Sequence, residues 1–107
     1  SGKVDVNEVT TGSASPLHVA CMGKVGQASV SVLLESGAVI EKRDSWGYTP
    51  LQRAATNDLD IAAKALLDAG ADRHAKSGLE LKGESARELA VRLRSFKVLK
   101  VIQQYEI

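Results

Sequence analysis

One cysteine in 107 residues, Cys21, excludes an intrachain disulfide, and no multi-cysteine zinc site can be built from one thiol. A reducing compartment is the default expectation. Aromatic residues are almost as scarce: one Trp, two Tyr and one Phe make up 4% of the chain, so the core must come from small aliphatic side chains on closely packed elements. Charge of one sign is missing too. Fourteen Lys and Arg face thirteen Asp and Glu, a net charge of +1, which gives no whole-chain argument for nucleic acid or an anionic membrane. No apolar run approaches the roughly 18 residues needed to span a bilayer, and Ser1-Gly2-Lys3 has no apolar signal region. Ser1-Gly2 in place of an initiator Met reads as a remnant of tag removal, with the chain expected to be cut from something longer. No phosphate-binding glycine loop, G-x-S-x-G elbow or HExxH helix occurs.

Only two prolines are present, and both stand in the same context. Ser15-Pro16-Leu17-His18-Val19-Ala20 returns as Thr49-Pro50-Leu51-Gln52-Arg53-Ala54, 34 residues on from Pro16 to Pro50. Leu33-Leu34-Glu35-Ser36-Gly37-Ala38 returns as Leu66-Leu67-Asp68-Ala69-Gly70-Ala71, 33 residues on from Gly37 to Gly70. The difference places one extra residue in the first copy, around Gly23-Lys24-Val25-Gly26. Periods of this length mark stacked repeats, which bind partners more often than they run chemistry. With 44% hydrophobic and 25% charged residues, the chain reads as one ordinary globular domain over 1–107.

Local chemistry signals three helix starts. The Thr49 hydroxyl can accept from a first-turn amide, Pro50 is pre-set for the first helical position, and Gln52 completes a capping box. Ser85 with Glu88 repeats this, and Ser15 with Pro16 repeats it without the box partner. Short first helices of about seven to nine residues follow. Breaks come at Gly23 to Gly26 and at Asn57-Asp58, before second helices over Ala28 to Ser36 and Leu59 to Ala69 that stop at Gly37 and Gly70. A third pair begins near Ala86, with Phe96, Val98, Leu99, Val101 and Ile102 as the apolar stripe of its second helix. The expected helix pairs are 16–36, 50–69 and 86–104, within repeats 4–36, 37–69 and 70–107. The charged, turn-rich segments between them read as extended excursions or hairpins.

These residues resemble the ankyrin repeat, a 33-residue unit bearing T-P-L-H-x-A. Gly47-Tyr48-Thr49-Pro50-Leu51 and Gly70-Ala71-Asp72 match its pattern, Val4-Asp5-Val6-Asn7 is similar to the end of one of its hairpins, and Gly83-Glu84-Ser85-Ala86 to the start of a terminal repeat. The resemblance implies an all-α solenoid of stacked helix-turn-helix pairs joined by β-hairpin loops. The pattern is broken where Gln52 replaces the motif His, where Arg53 stands at an often apolar place, and where Arg94 takes the inter-helix glycine position. The hairpin from Gly70 to Gly83 is three residues longer than that from Gly37 to Gly47, the extra residues falling around Ser77 to Lys82.

The resemblance further implies a non-enzymatic scaffold or adaptor without cofactor or metal. Such a module binds a protein partner through the concave face of hairpin tips and first helices, in the cytoplasm or nucleus. On that face lie Arg43, Ser45, Trp46, Tyr48, Arg53, Thr56 and Asn57 of the middle repeat, with Lys82, Glu84 and Arg92 of the third; Thr11, Ala14, Met22 and Lys24 of the first and Arg87 and Glu88 of the third face the same way. Trp46 and Tyr48 stand out, because Trp, Tyr and Arg are enriched at binding hot spots. An alternative is a regulatory or substrate-recruiting region of a larger multidomain enzyme. A third reading, an acidic-ligand or nucleic-acid binder, rests on the cluster Arg87, Arg92, Arg94, Lys97 and Lys100, which capping of the outermost repeat also explains. His18 and Cys21 read as scaffold, His74 as a solvated loop residue, and Asp58 and Asp60 as helix-start carboxylates.

Overall fold

The computed structural model describes residues 15–78, 80 and 82–106. The expected hairpin at Val4 to Asn7, the face positions Thr11 and Ala14, and Ile107 lie outside them. Among the described residues six α-helices follow in pairs: α1 (Pro16–Ala20) and α2 (Val30–Glu35), α3 (Pro50–Thr56) and α4 (Asp60–Asp68), α5 (Ala86–Arg92) and α6 (Phe96–Gln103), with a 3-10 turn at Gly26–Ser29 leading into α2. Of the first helices, α3 and α5 have seven residues each, as expected, and α1 is shorter, with five.

The first helices form one row, α1 against α3 and α3 against α5; the second helices form another, α2 against α4 and α4 against α6. Between the rows lie Leu17, Leu51, Leu66, Leu89 and Ile102, with Ala54, Ala55, Ala62, Ala63 and Ala90 wherever two helices approach closely. Alanine at these crossings brings the backbones together, which is how so few aromatic residues suffice to close the core. Phe96 does not join it: it is 64% exposed, as Ile61 is at 57%. The buried stripe of α6 is centred on Val98 and Ile102, and Phe96 falls on the opposite side.

Each first helix starts from a complete capping box, Ser15 with His18, Thr49 with Gln52 and Ser85 with Glu88. The partner that Ser15 lacked in the sequence reading is the His18 imidazole, whose Nδ1 accepts from the Ser15 amide at 3.2 Å. Second helices have no side-chain cap of their own. Instead Gln27 Oε1 accepts from the Ala62 amide of α4 at 3.1 Å, and Asp58 Oδ1 from the Val98 amide of α6 at 3.1 Å. Both amides belong to the first turn, where no intrahelical acceptor exists. Asp58 therefore serves α6, the next pair's helix, and Asp60 alone sits in the first turn of α4.

Gly37 and Gly70 end α2 and α4 at φ +94° and +95°, each followed by an alanine amide that reaches back to Leu33 O or Leu66 O, the six-to-one closure of a Schellman turn. Asp58 and Arg94 hold the matching positions after α3 and α5 at φ 52° and 58°. No strand occurs among the described residues, so the excursions between pairs are built from tight turns. The longer one is pinched at its base, Ser77 N donating to Glu84 O at 2.9 Å and Gly83 N to Ser77 O at 2.8 Å. Neighbouring excursions touch through Gly78 N and Gly47 O at 3.1 Å. A Cβ on Gly47 would lie 2.3 Å from the Gly78 carbonyl carbon, so the contact requires glycine.

Candidate partner-binding face

The turn from Asp44 to Tyr48 is organised by the Asp44 carboxylate. Its Oδ1 accepts from the amides of Trp46 and Tyr48, both at 3.0 Å, while backbone bonds join Asp44 N to Tyr48 O and Gly47 N to Asp44 O. Arg53, arriving from α3, places Nε and Nη2 each 2.7 Å from Asp44 Oδ2 and lays its guanidinium 4.3 Å from the centre of the Tyr48 ring. Burial works to raise the Asp44 carboxyl, but the Tyr48 amide and the Arg53 guanidinium outweigh it and hold it below its usual value.

His18 ties this turn to the preceding pair. Its Nε2 donates to Tyr48 O at 2.8 Å while Nδ1 accepts from Ser15, an arrangement that only the neutral Nε2–H tautomer satisfies. Burial pushes its pKa down, against the opposing pull of the Tyr48 carbonyl. Gln52 does the same work one unit later, accepting from Thr49 N at 2.9 Å and donating to Ala75 O at 2.9 Å. A primary amide, having both an acceptor and a donor, replaces the imidazole atom for atom. Cys21 is fully buried and its thiol is pushed up to about 12 by desolvation, which keeps it a neutral core side chain.

This frame sorts the ten residues assigned to the face. Arg43 Nη1 is bonded to Gly47 O and Lys76 O, both at 2.7 Å. Thr56 Oγ1 donates to Arg53 O, and Asn57 Nδ2 donates to Cys21 O at 3.0 Å and Arg53 O at 2.9 Å. Tyr48, expected to be exposed, is half-buried beneath Arg53. In the third unit, Arg92 pairs with Glu84 at 2.8 Å and the exposed Lys82 with Glu80 at 3.4 Å. Ser45 and Trp46 remain, both exposed, with the Trp46 side chain 71% accessible at the tip of the turn. The structure thus draws Arg43, Tyr48, Arg53 and Asn57 into holding the stack together and leaves Trp46 projecting from it.

Glu88 accepts from Lys76 and from the Ser85 amide; the Lys76 ammonium, foremost, brings its exposed carboxyl down to about 2. Two residues that matter here, Asp44 and Gln27, were absent from the sequence-based list. Asp44 had a signal, since Asp opening a turn with Gly three residues on is the ordinary type I pattern. Gln27 had none, because its acceptor acts on an amide 35 residues away.

A family model described as ankyrin repeats (3 copies) matches residues 2–77. An ankyrin repeat protein of Rickettsia bellii (strain RML369-C) is 39% identical over 64 residues, 59% of this chain and 26% of that protein. The crystal structure of the human ASB11 ankyrin repeat domain superposes with a TM-score of 0.80 at 30% identity, over 97% of this chain and 45% of that one. The chain therefore spans about a quarter of the first of these relatives and somewhat under half of the second.

Proposed function

Because this chain belongs to the ankyrin-repeat family, whose stacks are generally protein-interaction modules, we propose that it is a non-enzymatic scaffold or adaptor segment with Trp46 as the anchor of its partner-binding face. One observation carries this reading: an indole 71% exposed on a turn held in place by Asp44, Arg53 and His18. A large aromatic side chain on a rigid base loses little conformational freedom on binding, so its burial in a partner's pocket goes largely into affinity. Ser45 and the ion-paired Lys82, Glu84 and Arg92 form the polar surround.

No helix among the described residues is long and apolar enough to cross a membrane. The unpaired Cys21 supports a reducing intracellular setting, cytoplasmic or nuclear. Affinity capture from native lysate with wild-type and Trp46→Ala baits tests the reading, with circular dichroism as the folding control. The variant is expected to retain its helicity and lose its partner by roughly tenfold or more, the range of an interface hot spot. Equal capture by both baits would overturn the assignment.

A further inference from the structure

The structure divides the basic cluster of the third unit in two. Arg87 pairs with Glu106 at 2.7 Å and Arg92 with Glu84 at 2.8 Å, so two of its five cations are neutralised within the chain. Arg94, Lys97 and Lys100 have no carboxylate partner among the described residues. Helix α6, Phe-Lys-Val-Leu-Lys-Val-Ile-Gln, contains no acidic residue. Its solvent side presents Phe96, Lys97, Lys100, Gln103 and Gln104, all exposed, at the i, i+1, i+4, i+7, i+8 spacing of one helical face. Leu93 and Arg94 continue the patch into the preceding turn, Leu93 being 42% exposed and Phe96 64%.

Two of the three cations stand where the fold itself disfavours them, whereas Lys100 lies in the last turn of α6, where the helix field favours it. Lys97 lies in the first turn of α6 and Arg94 just ahead of it, at the helix end whose field repels positive charge; α4 and α5 carry Asp60 and Glu88 in the same place. The one carboxylate shown at this end, Asp58, directs Oδ1 to the Val98 amide. Arg94 also bears a left-handed backbone at φ 58°. An arrangement that costs stability and gains no internal partner fits a surface reserved for an outside one.

We infer that the outer face of α6 is a second docking surface, separate from the Trp46 face, for a short acidic segment of a partner protein carrying an aromatic or aliphatic anchor. Lys97 and Lys100 meet two carboxylates about one helical turn apart, Arg94 extends the charge to the turn, and the anchor packs on Phe96 and Leu93. Charge complementarity selects an acidic partner. A patch of three cations is smaller than the six to ten phosphate contacts typical of duplex binding, and a single exposed ring gives weak purchase on a bilayer.

The test is an amide NMR titration of the 15N-labelled chain with a random glutamate–tyrosine copolymer, with poly-glutamate as the charge-only control. Shifts are expected over Leu93 to Gln104, larger with the copolymer, and roughly tenfold weaker binding is expected for Phe96→Ser and for the double variant Lys97→Glu/Lys100→Glu. The helix field favours charge reversal at Lys97 and opposes it at Lys100 in the last turn, so the double variant is expected to keep its melting temperature, and Lys97→Glu alone, which the field favours, should also weaken binding without loss of stability. Trp46→Ala leaves the titration unchanged. Absence of shifts on α6, or binding that Trp46→Ala abolishes and the charge reversal spares, overturns the inference. So does tighter binding of α6 to a duplex oligonucleotide or to phosphatidylserine vesicles than to the copolymer.

Discussion

Two buried titratable side chains make stability depend on pH in separate windows. His18 is neutral in the fold and its pKa lies below the ordinary 6.5, so as pH falls through about 6.5 the unfolded chain takes up a proton that the folded chain refuses. Stability is lost from there down to the folded-state pKa. Asp44 is displaced below the usual carboxylate value; its contribution is complete above about pH 4 and disappears as pH falls through its folded pKa. Urea titrations from pH 7.5 to 3 are expected to show both losses. His18→Gln should remove the first at a cost within about 1 kcal/mol, because Gln52 shows the amide performing both bonds. Asp44→Asn should remove the second and cost about 2 kcal/mol at neutral pH, since the charge-assisted bonds from Arg53 are lost. A His18→Gln protein with an unchanged slope between pH 7 and 5 would contradict this assignment. At this scale the sequence was partly legible. The scaffold role of His18 followed from the repeat, whereas the ring's second bond, which completes the Ser15 cap, depends on a tautomer that no spacing reveals. Tyr48 looked like a contact residue because aromatics in turns usually are; its burial under Arg53 depends on Asp44 drawing that side chain inward.

Helix existence was legible because starts and stops are local: hydroxyl, proline and box partner at one end, glycine at the other. Helix lengths were less so, since apolar residues such as Phe96 and Ile61 carry helical spacing whether or not a neighbouring row covers them. The capping of α4 and α6 was invisible, as Gln27 and Asp58 act on amides 35 and 40 residues away. Asp58 and Arg94 offer a comparison within one molecule. Both occupy the left-handed position after a first helix, but Asp58 is repaid through the Val98 amide and Arg94 has no described partner. Arg94→Gly is therefore expected to stabilise the protein by about 0.5–1 kcal/mol, the relief of a left-handed non-glycine residue less the added unfolded-state entropy. Asp58→Gly relieves the same backbone but removes a cap, and should destabilise by several tenths of a kcal/mol to about 1 kcal/mol. Denaturant midpoints of the two glycine variants moving in the same direction would rule out this account of the pair.

Across the whole molecule, cohesion comes from bonds between units as much as from the core: His18 to Tyr48, Gln52 to Ala75, Arg43 to Lys76, and Tyr105, whose hydroxyl donates to Asp68. Units joined in this way should open together. The thiol of Cys21, fully buried in the first unit, is a probe of this. Its labelling by a disulfide reagent is expected to follow the same urea midpoint as the loss of helicity; labelling at clearly lower urea would mean that the first unit opens alone. The stacked architecture could be read from the period of the sequence, but the concave face could be read only as a set of positions, since which of those side chains point outward depends on who bonds to whom.

The bonds between units also have a direction. His18, Gln27, Glu41, Arg43, Gln52 and Asp58 each use a side chain to satisfy a backbone group further along the chain, and among the described residues Asn57, reaching back to Cys21, is the exception. Loss of the last unit would leave side chains facing water, which solvates them at little cost. Loss of the first would strip the Ala62 amide of its partner and the Tyr48 carbonyl of one of its two donors, groups whose position in the backbone is fixed. The stack is thus more tolerant of erosion from its C-terminal end than from its N-terminal end, and a chain emerging N-terminus first completes each unit's helpers before the backbone that needs them.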